Sequence, residues 1–246
     1  MTNSSISLEG RIALITGASR GIGAAIAKTY AKAGAHVILL ARTIGALEAL
    51  DDEIREMGGK TTLVPQDLMD LDKIDSLGPL IAQRFGALDI VVGNAGYLGD
   101  LTPLAHLSAD DWRRTMTLNV DVNFRLIRTL DPLLRASNAG RAIFVTSGMA
   151  EMADAYWAPY AASKAALNAM VTCYAKETAK TNLCVNLISP GLVDTAMLRG
   201  AYPGGYQGEN APAKPEDITD AFLTLASDKC TQTGQYFHAQ DFETNA

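Results

Sequence analysis

One tyrosine of the chain's eight stands four residues before a lysine, in Tyr160-Ala161-Ala162-Ser163-Lys164. On a helix this spacing puts both side chains on one face. A phenol with a pKa near 10 is a poor base at neutral pH, whereas a nearby ammonium favours the phenolate and lowers that value. Such a pair can give or take a proton during a reaction. Taken alone, a Tyr and a Lys at this spacing are usually just a surface pair. Ser147 strengthens the reading, because it sits at the end of the strand expected over 141–146, a short way upstream. A hydroxyl at the carboxyl end of a buried strand can hold a substrate oxygen and turn it toward Tyr160. Without the tyrosine, Ser147 would be read as a turn or cap residue.

A second cluster sits near the amino terminus, where the apolar run 12–15 passes into Thr16-Gly17-Ala18-Ser19-Arg20-Gly21-Ile22-Gly23 and then a segment of small residues. Strand, glycine turn and helix in this order let backbone N–H groups approach a pyrophosphate, which the positive end of the helix dipole also favours. A glycine cluster without that context would be a plain turn. The end of the second strand separates NAD from NADP: an acid there binds the ribose 2′-OH, a cation accommodates a 2′-phosphate. Here the run is Leu39-Leu40-Ala41-Arg42, with no acid at the corner, and Arg20 supplies a second cation. A charged hydrogen bond contributes about 1.5–3 kcal/mol, about tenfold or more in affinity. NADP(H) is therefore expected over NAD(H), the alternative being that both arginines are solvated surface cations. Gly93-Asn94-Ala95-Gly96 ends the fourth strand with small residues that allow a ligand close to the backbone. Asn119 falls inside a helical stretch that does not favour it, where it could open the hydrogen-bond ladder or hold a water; an exposed helical Asn is the plainer reading.

These groups need a scaffold that brings residues far apart in sequence to one edge. Short apolar runs at 12–15, 36–40, 62–64, 90–92, 143–145, 185–188 and 236–237 predict seven strands. Segments of helical period lie between them at 23–33, 44–57, 74–84, 110–135, 159–180 and 216–226. The alternation predicts βαβ units and a parallel sheet with helices on both faces, and the unbroken apolar strands suit burial on both sides. Ser108 or Asp110 is a candidate N-cap, and Pro132 should end or bend its helix. Residues 201–215, rich in Gly and Pro, are read as an irregular surface loop.

With 246 residues and 48% hydrophobic composition, a single domain with a sizeable core is expected. A net charge of −6 argues against nucleic acid or an anionic membrane as the main partner. Three cysteines, Cys173, Cys184 and Cys230, lack metal or redox spacing, and His36, His106 and His238 are scattered, so no metal site or disulfide is indicated. The first ten residues hold no basic or apolar leader, and no segment approaches the ~18 apolar residues of a membrane span, so a cytoplasmic protein is expected.

The ordered set Thr16-Gly-x-x-x-Gly-x-Gly23, Asp67, Asn94-Ala-Gly96, Asn119, Ser147, Tyr160-x-x-x-Lys164 and Pro190-Gly191 with Thr195 resembles the short-chain dehydrogenase/reductase family in its compact form. The resemblance runs from Arg11 to about Gln240. It implies one α/β domain of Rossmann type, a doubly wound, mostly parallel seven-stranded sheet, with a short flexible stretch at 1–8, a substrate loop at about 195–215 and a tail at 240–246. Tyr160 would be the acid/base, Lys164 would bind the nicotinamide ribose and lower the tyrosine's pKa, Ser147 would stabilise the carbonyl oxygen and Asn119 would hold a relay water. The cofactor would run along Gly17, Ser19, Arg20, Gly21, Ile22 and Gly23, past Arg42, Asp67 and Leu68, then Asn94, Ala95 and Gly96, to Pro190, Gly191, Val193 and Thr195. Two positions depart from the family pattern. Gly93 replaces an Asn, and the segment after Thr233 lacks the family's Asp-Gly-Gly, which leaves homodimer and homotetramer both open.

The substrate side is expected to be lined by Gly148 and Met149, by Tyr97, by Tyr156 and Trp157, and by Met197, Tyr202 and Tyr206. Apolar and aromatic lining suits an uncharged, apolar or ring-bearing ketone or aldehyde. Arg199 is the one cation near enough to turn inward. Two alternatives stand beside this reading: a 3-oxoacyl-carrier-protein reductase, which would favour basic residues at the pocket mouth, and a non-catalytic NADP(H)-sensing protein, which would not need Tyr160, Lys164 or Ser147.

Overall fold

The computed structural model describes residues 6–242. Strands β1 (Ile12–Thr16), β2 (His36–Ala41), β3 (Lys60–Pro65), β4 (Ile90–Gly93), β5 (Arg141–Val145), β6 (Cys184–Ser189) and β7 (Tyr236–His238) form one sheet in the order β3-β2-β1-β4-β5-β6-β7. All neighbours run parallel. The chain starts at the centre with β1, winds outward to β3, and crosses back to β4 on the other side of β1. That reversal opens a crevice beyond the carboxyl ends of β1 and β4, where open α/β sheets bind ligands.

Burial on both faces explains the unbroken apolar strands: Leu14, Ile38, Val91 and Phe144 point into one core, Ile15, Leu39, Val92 and Ile143 into the other. Helices α1 (Gly21–Lys32), α2 (Ile44–Glu56), α3 (Leu71–Asp75), α4 (Leu77–Phe85), α5 (Ala109–Met116), α6 (Val122–Ala136), α7 (Met149–Met152), α8 (Ala158–Thr178), α9 (Ala196–Ala201) and α10 (Thr219–Ala226) complete the layers.

Several elements differ from the sequence expectation. The segment read as 74–84 is two helices, α3 and α4. The segment read as 110–135 is α5 and α6 joined by a π-helical turn, Thr117–Asp121. Ser108 does cap α5, its hydroxyl accepting from the Asp111 N–H at 3.0 Å. Pro132 does not end α6, which continues to Ala136. Pro132 and Arg128 are both exposed, so the carbonyl that loses its partner at the proline faces water. The short helices α7 and α9 had no periodic signal. A parallel bridge between Val193 and Ala213 fastens the base of the loop that follows α9.

Of the amino-terminal stretch expected to be flexible, residues 1–5 lie outside the described residues, but Leu8 is fully buried and its N–H donates to the Ala33 carbonyl at 2.8 Å. An apolar side chain in the core fixes that part of the segment. Residues 243–246 of the tail also lie outside the described residues.

Candidate active site

The carboxyl edge of the sheet gathers the groups singled out in the sequence. Tyr160 enters from the first turn of α8, Lys164 from the next, and Ser147 from the turn after β5. Tyr160 and Lys164 are 8% and 3% exposed, too buried to be a surface pair. Burial disfavours the charged form of each. The phenol is pushed up to about 12, with a hydrogen bond from Ser147 pulling the other way. The lysine is pushed down to about 8, so it still carries charge at neutral pH.

This corrects the expectation that Lys164 lowers the phenol's pKa in the chain by itself. Its Nζ sits 5.6 Å from the centre of the Tyr160 ring and donates to the Val145 carbonyl at 2.8 Å. The ammonium thus lies over the ring, and desolvation is the largest influence on the phenol.

Gly96 is where the elements meet. A Cβ built there would lie 3.5 Å from Asn119 Oδ1, 3.7 Å from Lys164 Nζ and 3.7 Å from Met197 Cε. Asn119 is fully buried in the π-helical turn, whose extra residue turns it inward. Its Oδ1 accepts from the Tyr97 N–H at 2.8 Å, and its Nδ2 donates to the Tyr97 carbonyl at 2.9 Å and to Ser163 Oγ at 2.8 Å. Both amide hydrogens are committed, so the side chain clamps Tyr97 to Ser163.

The glycine turn has the geometry of a phosphate cradle. Gly17 takes φ +64, and a Cβ on Gly23 would lie 2.3 Å from the Gly17 carbonyl oxygen, so only glycine fits between turn and helix. Helix α1 starts without a side-chain cap and without an acid in its first turn, leaving its N-terminal N–H groups for an anion. Thr195 faces the turn from across the crevice, its Cγ2 3.4 Å from where a Cβ of Gly21 would stand. Asn94 braces the cradle from behind: Nδ2 donates to the Thr16 carbonyl at 2.9 Å, and its N–H donates to Thr16 Oγ1 at 3.0 Å. Arg20 and Arg42 are exposed and make no ion pair among the described residues. Ser19, Ile22 and Ala95 are half-buried and Gly191 is exposed, while Leu68, Pro190 and Val193 are buried. Asp67 is exposed after β3, its carboxylate accepting from the Met69 N–H at 3.0 Å. The residues present fit a phosphate-bearing dinucleotide.

Comparison with known proteins agrees with this geometry. A family model for short chain dehydrogenases matches residues 11–204. The chain belongs to the short-chain dehydrogenase family. Among its relatives, the uncharacterized oxidoreductase YciK of Escherichia coli is 38% identical over 240 residues, covering 95% of this chain and 93% of that one. The 3-oxoacyl-acyl-carrier-protein reductase FabG of Salmonella typhimurium is 34% identical over 240 residues, covering 95% and 97%. A short chain dehydrogenase from Shigella flexneri, solved in complex with NADP, superimposes with a TM-score of 0.87 at 37% identity over 95% of this chain and 98% of that one. The chain is thus an α/β oxidoreductase of the short-chain dehydrogenase type.

Beyond the sheet edge stand the aromatic residues expected on the substrate side. Trp157 stands edge-on to Tyr160 with ring centres 6.1 Å apart; Tyr202 is 6.2 Å from Trp157, and Tyr206 is 5.2 Å from Tyr202. Tyr202 and Tyr206 border a cavity of about 250 Å³ with Leu198, Arg199 and Pro212. Gly148 caps α7, and Met149 behind it is buried.

Two expected lining residues lie elsewhere. Tyr156 is 58% exposed and lines a groove of about 530 Å³ whose wall is the Ala161, Ala162 and Ala165 side of α8, away from Tyr160 and Lys164. Tyr97 turns its hydroxyl to Asp111, under the Arg114 guanidinium. Arg199 pairs with Asp194, which borders the same cavity. The reading of the sequence missed Ser163, which lies inside the Tyr-Lys motif and links Asn119 to the Tyr160 carbonyl, and Asp111, whose only signal was its place in a capped first turn.

Proposed function

We propose that this chain interconverts a carbonyl and an alcohol with NADP(H) in preference to NAD(H), with Tyr160 as the acid/base. The observation that carries the reading is the buried Tyr160-Lys164 pair, with Ser147 hydrogen-bonded to the phenol, at the edge that also holds the glycine cradle. The nicotinamide, when bound, supplies or accepts the hydride. Tyr160, held protonated by burial, donates its proton to the oxygen of a carbonyl being reduced. Ser147 holds that oxygen beside the phenol. Lys164 presents an ammonium next to Gly96, where it can hold a ribose hydroxyl and steady the phenolate left behind. Arg20 and Arg42 lie free to take a 2′-phosphate, which supports NADP(H).

The aromatic row from Trp157 to Tyr206 and the paired state of Arg199 support an uncharged, apolar or ring-bearing substrate. A 3-oxoacyl-carrier-protein reductase is the second reading, favoured by the likeness to FabG. Initial rates with NADPH on an aryl ketone, an aromatic o-quinone and an acetoacetyl carrier thioester separate the two. Faster turnover of the ring-bearing compounds supports the first reading; preference for the thioester supports the second.

A further inference from the structure

A line of short hydrogen bonds runs from α5 to the main chain of Tyr160, and it begins at two residues that no cofactor or substrate need touch. The Asp111 carboxylate, on the first turn of α5, is buried at 9% exposure. It accepts from Tyr97 Oη at 2.9 Å and from the Asp100 N–H at 2.7 Å. The Arg114 guanidinium stands 4.5 Å from the centre of the Tyr97 ring. Tyr97 is therefore held at both ends, by Asp111 at its hydroxyl and by Asn119 at its N–H and carbonyl. The remaining Asn119 hydrogen goes to Ser163 Oγ at 2.8 Å, and Ser163 Oγ donates to the Tyr160 carbonyl at 2.8 Å. The loop between is pressed flat, since a Cβ on Gly99 would lie 2.8 Å from Thr115 Oγ1, 3.0 Å from Asp111 Oδ2 and 3.1 Å from Pro159 Cγ, and Pro159 precedes Tyr160.

We propose that Tyr97 and Asp111 are positioning residues for the reaction: together they hold the loop after β4 so that Asn119 and Ser163 set the first turn of α8 and with it the place of the Tyr160 hydroxyl. This rests on the reading of Tyr160 as the acid/base. A buried carboxylate is costly for stability, and an apolar pair of the same volume would fill this space at less cost. What the polar pair adds is a fixed direction, since a hydroxyl and a carboxylate pin a loop in one register where apolar side chains slide. A reacting group displaced by about 1 Å can lose on the order of a hundredfold in rate.

The test compares Tyr97→Phe, Asp111→Asn and the double variant with the unaltered chain. Tyr97→Phe removes one oxygen, so it carries the test even if Asp111→Asn does not fold. The carbonyl probe is whichever of 9,10-phenanthrenequinone, acetophenone and acetoacetyl-CoA the unaltered chain reduces fastest with NADPH. Each single variant is expected to lose about tenfold in kcat, with NADPH affinity within about threefold, and the double to be no slower than the worse single, as for two residues acting through one bond. A Tyr97→Phe chain with kcat within twofold, or losses that multiply in the double, would overturn the proposal. Tyr160→Phe is measured alongside. If it is inactive while Tyr97→Phe is fully active, only the positioning role falls. If Tyr160→Phe keeps its turnover, or no probe is reduced, the acid/base reading falls and the positioning role with it.

Discussion

At the scale of residues, burial moves two pKa values in opposite directions. Tyr160, at about 12, stays protonated through the neutral range and can act as an acid in reduction. Lys164, at about 8, is charged below that pH and loses its charge above it. The rate of carbonyl reduction should therefore be level below about pH 8 and fall above it, and in Lys164→Met it should be lower throughout and without that break. A break near pH 8 that persists in Lys164→Met would assign it to another group. The cofactor preference also belongs to this scale. Arg42→Ala should weaken NADPH binding about tenfold or more, the value of one charged hydrogen bond, and leave NADH binding unchanged. Titration of nicotinamide fluorescence measures both; equal losses for the two nucleotides would place Arg42 off the 2′-phosphate. That Tyr160 and Lys164 share one helix face was legible because the spacing is local in sequence. The partners of Asn119 and Tyr97 were not, because they come from segments that only the fold brings together.

At the scale of elements, the cradle depends on α1 lying against its own glycine turn. The 2.3 Å approach at Gly23 means that Gly23→Ala must push the helix away from the Gly17 carbonyl. Nucleotide affinity should fall by on the order of tenfold or more in a folded chain, and an unchanged affinity would show that α1 can shift without cost. On the substrate side, Tyr202→Ala removes the middle of the aromatic row; it should raise KM for an aryl ketone and leave NADPH affinity as it was. Strand positions were legible because parallel strands buried on both faces read as plain apolar runs. The π-helical turn was not, since its five residues are too short to show a pattern of their own, and only the unfavoured Asn119 hinted at it. Helix α9 was hidden because its six residues form too short a stretch for a 3.6-residue pattern to show.

At the scale of the whole molecule, the carboxyl edge of the sheet holds the chemistry and the amino edge holds the layers together. There Arg141, 3% exposed, donates to the carbonyls of Ser227, Gly140 and Asp228, and Arg11 donates to those of Ala226 and Ala139. Apolar side chains remain on the outside, with Leu104 at 64%, Phe124 at 48% and Trp112 at 38% exposed. Near the carboxyl end of the described residues, Gln240 Nε2 donates to the Pro190 carbonyl at 3.4 Å. Among the described residues no helix is long and apolar enough to cross a membrane.

The most direct test of the account follows NADPH consumption by the unaltered chain and by Tyr160→Phe, across a set of aryl ketones and quinones, with NADPH binding checked in both. The expected result is turnover by the unaltered chain and a loss of about a hundredfold or more in the variant, in the range for removal of a general acid, at similar NADPH affinity. A Tyr160→Phe chain that binds NADPH and reduces the same carbonyls at the unaltered rate would contradict it.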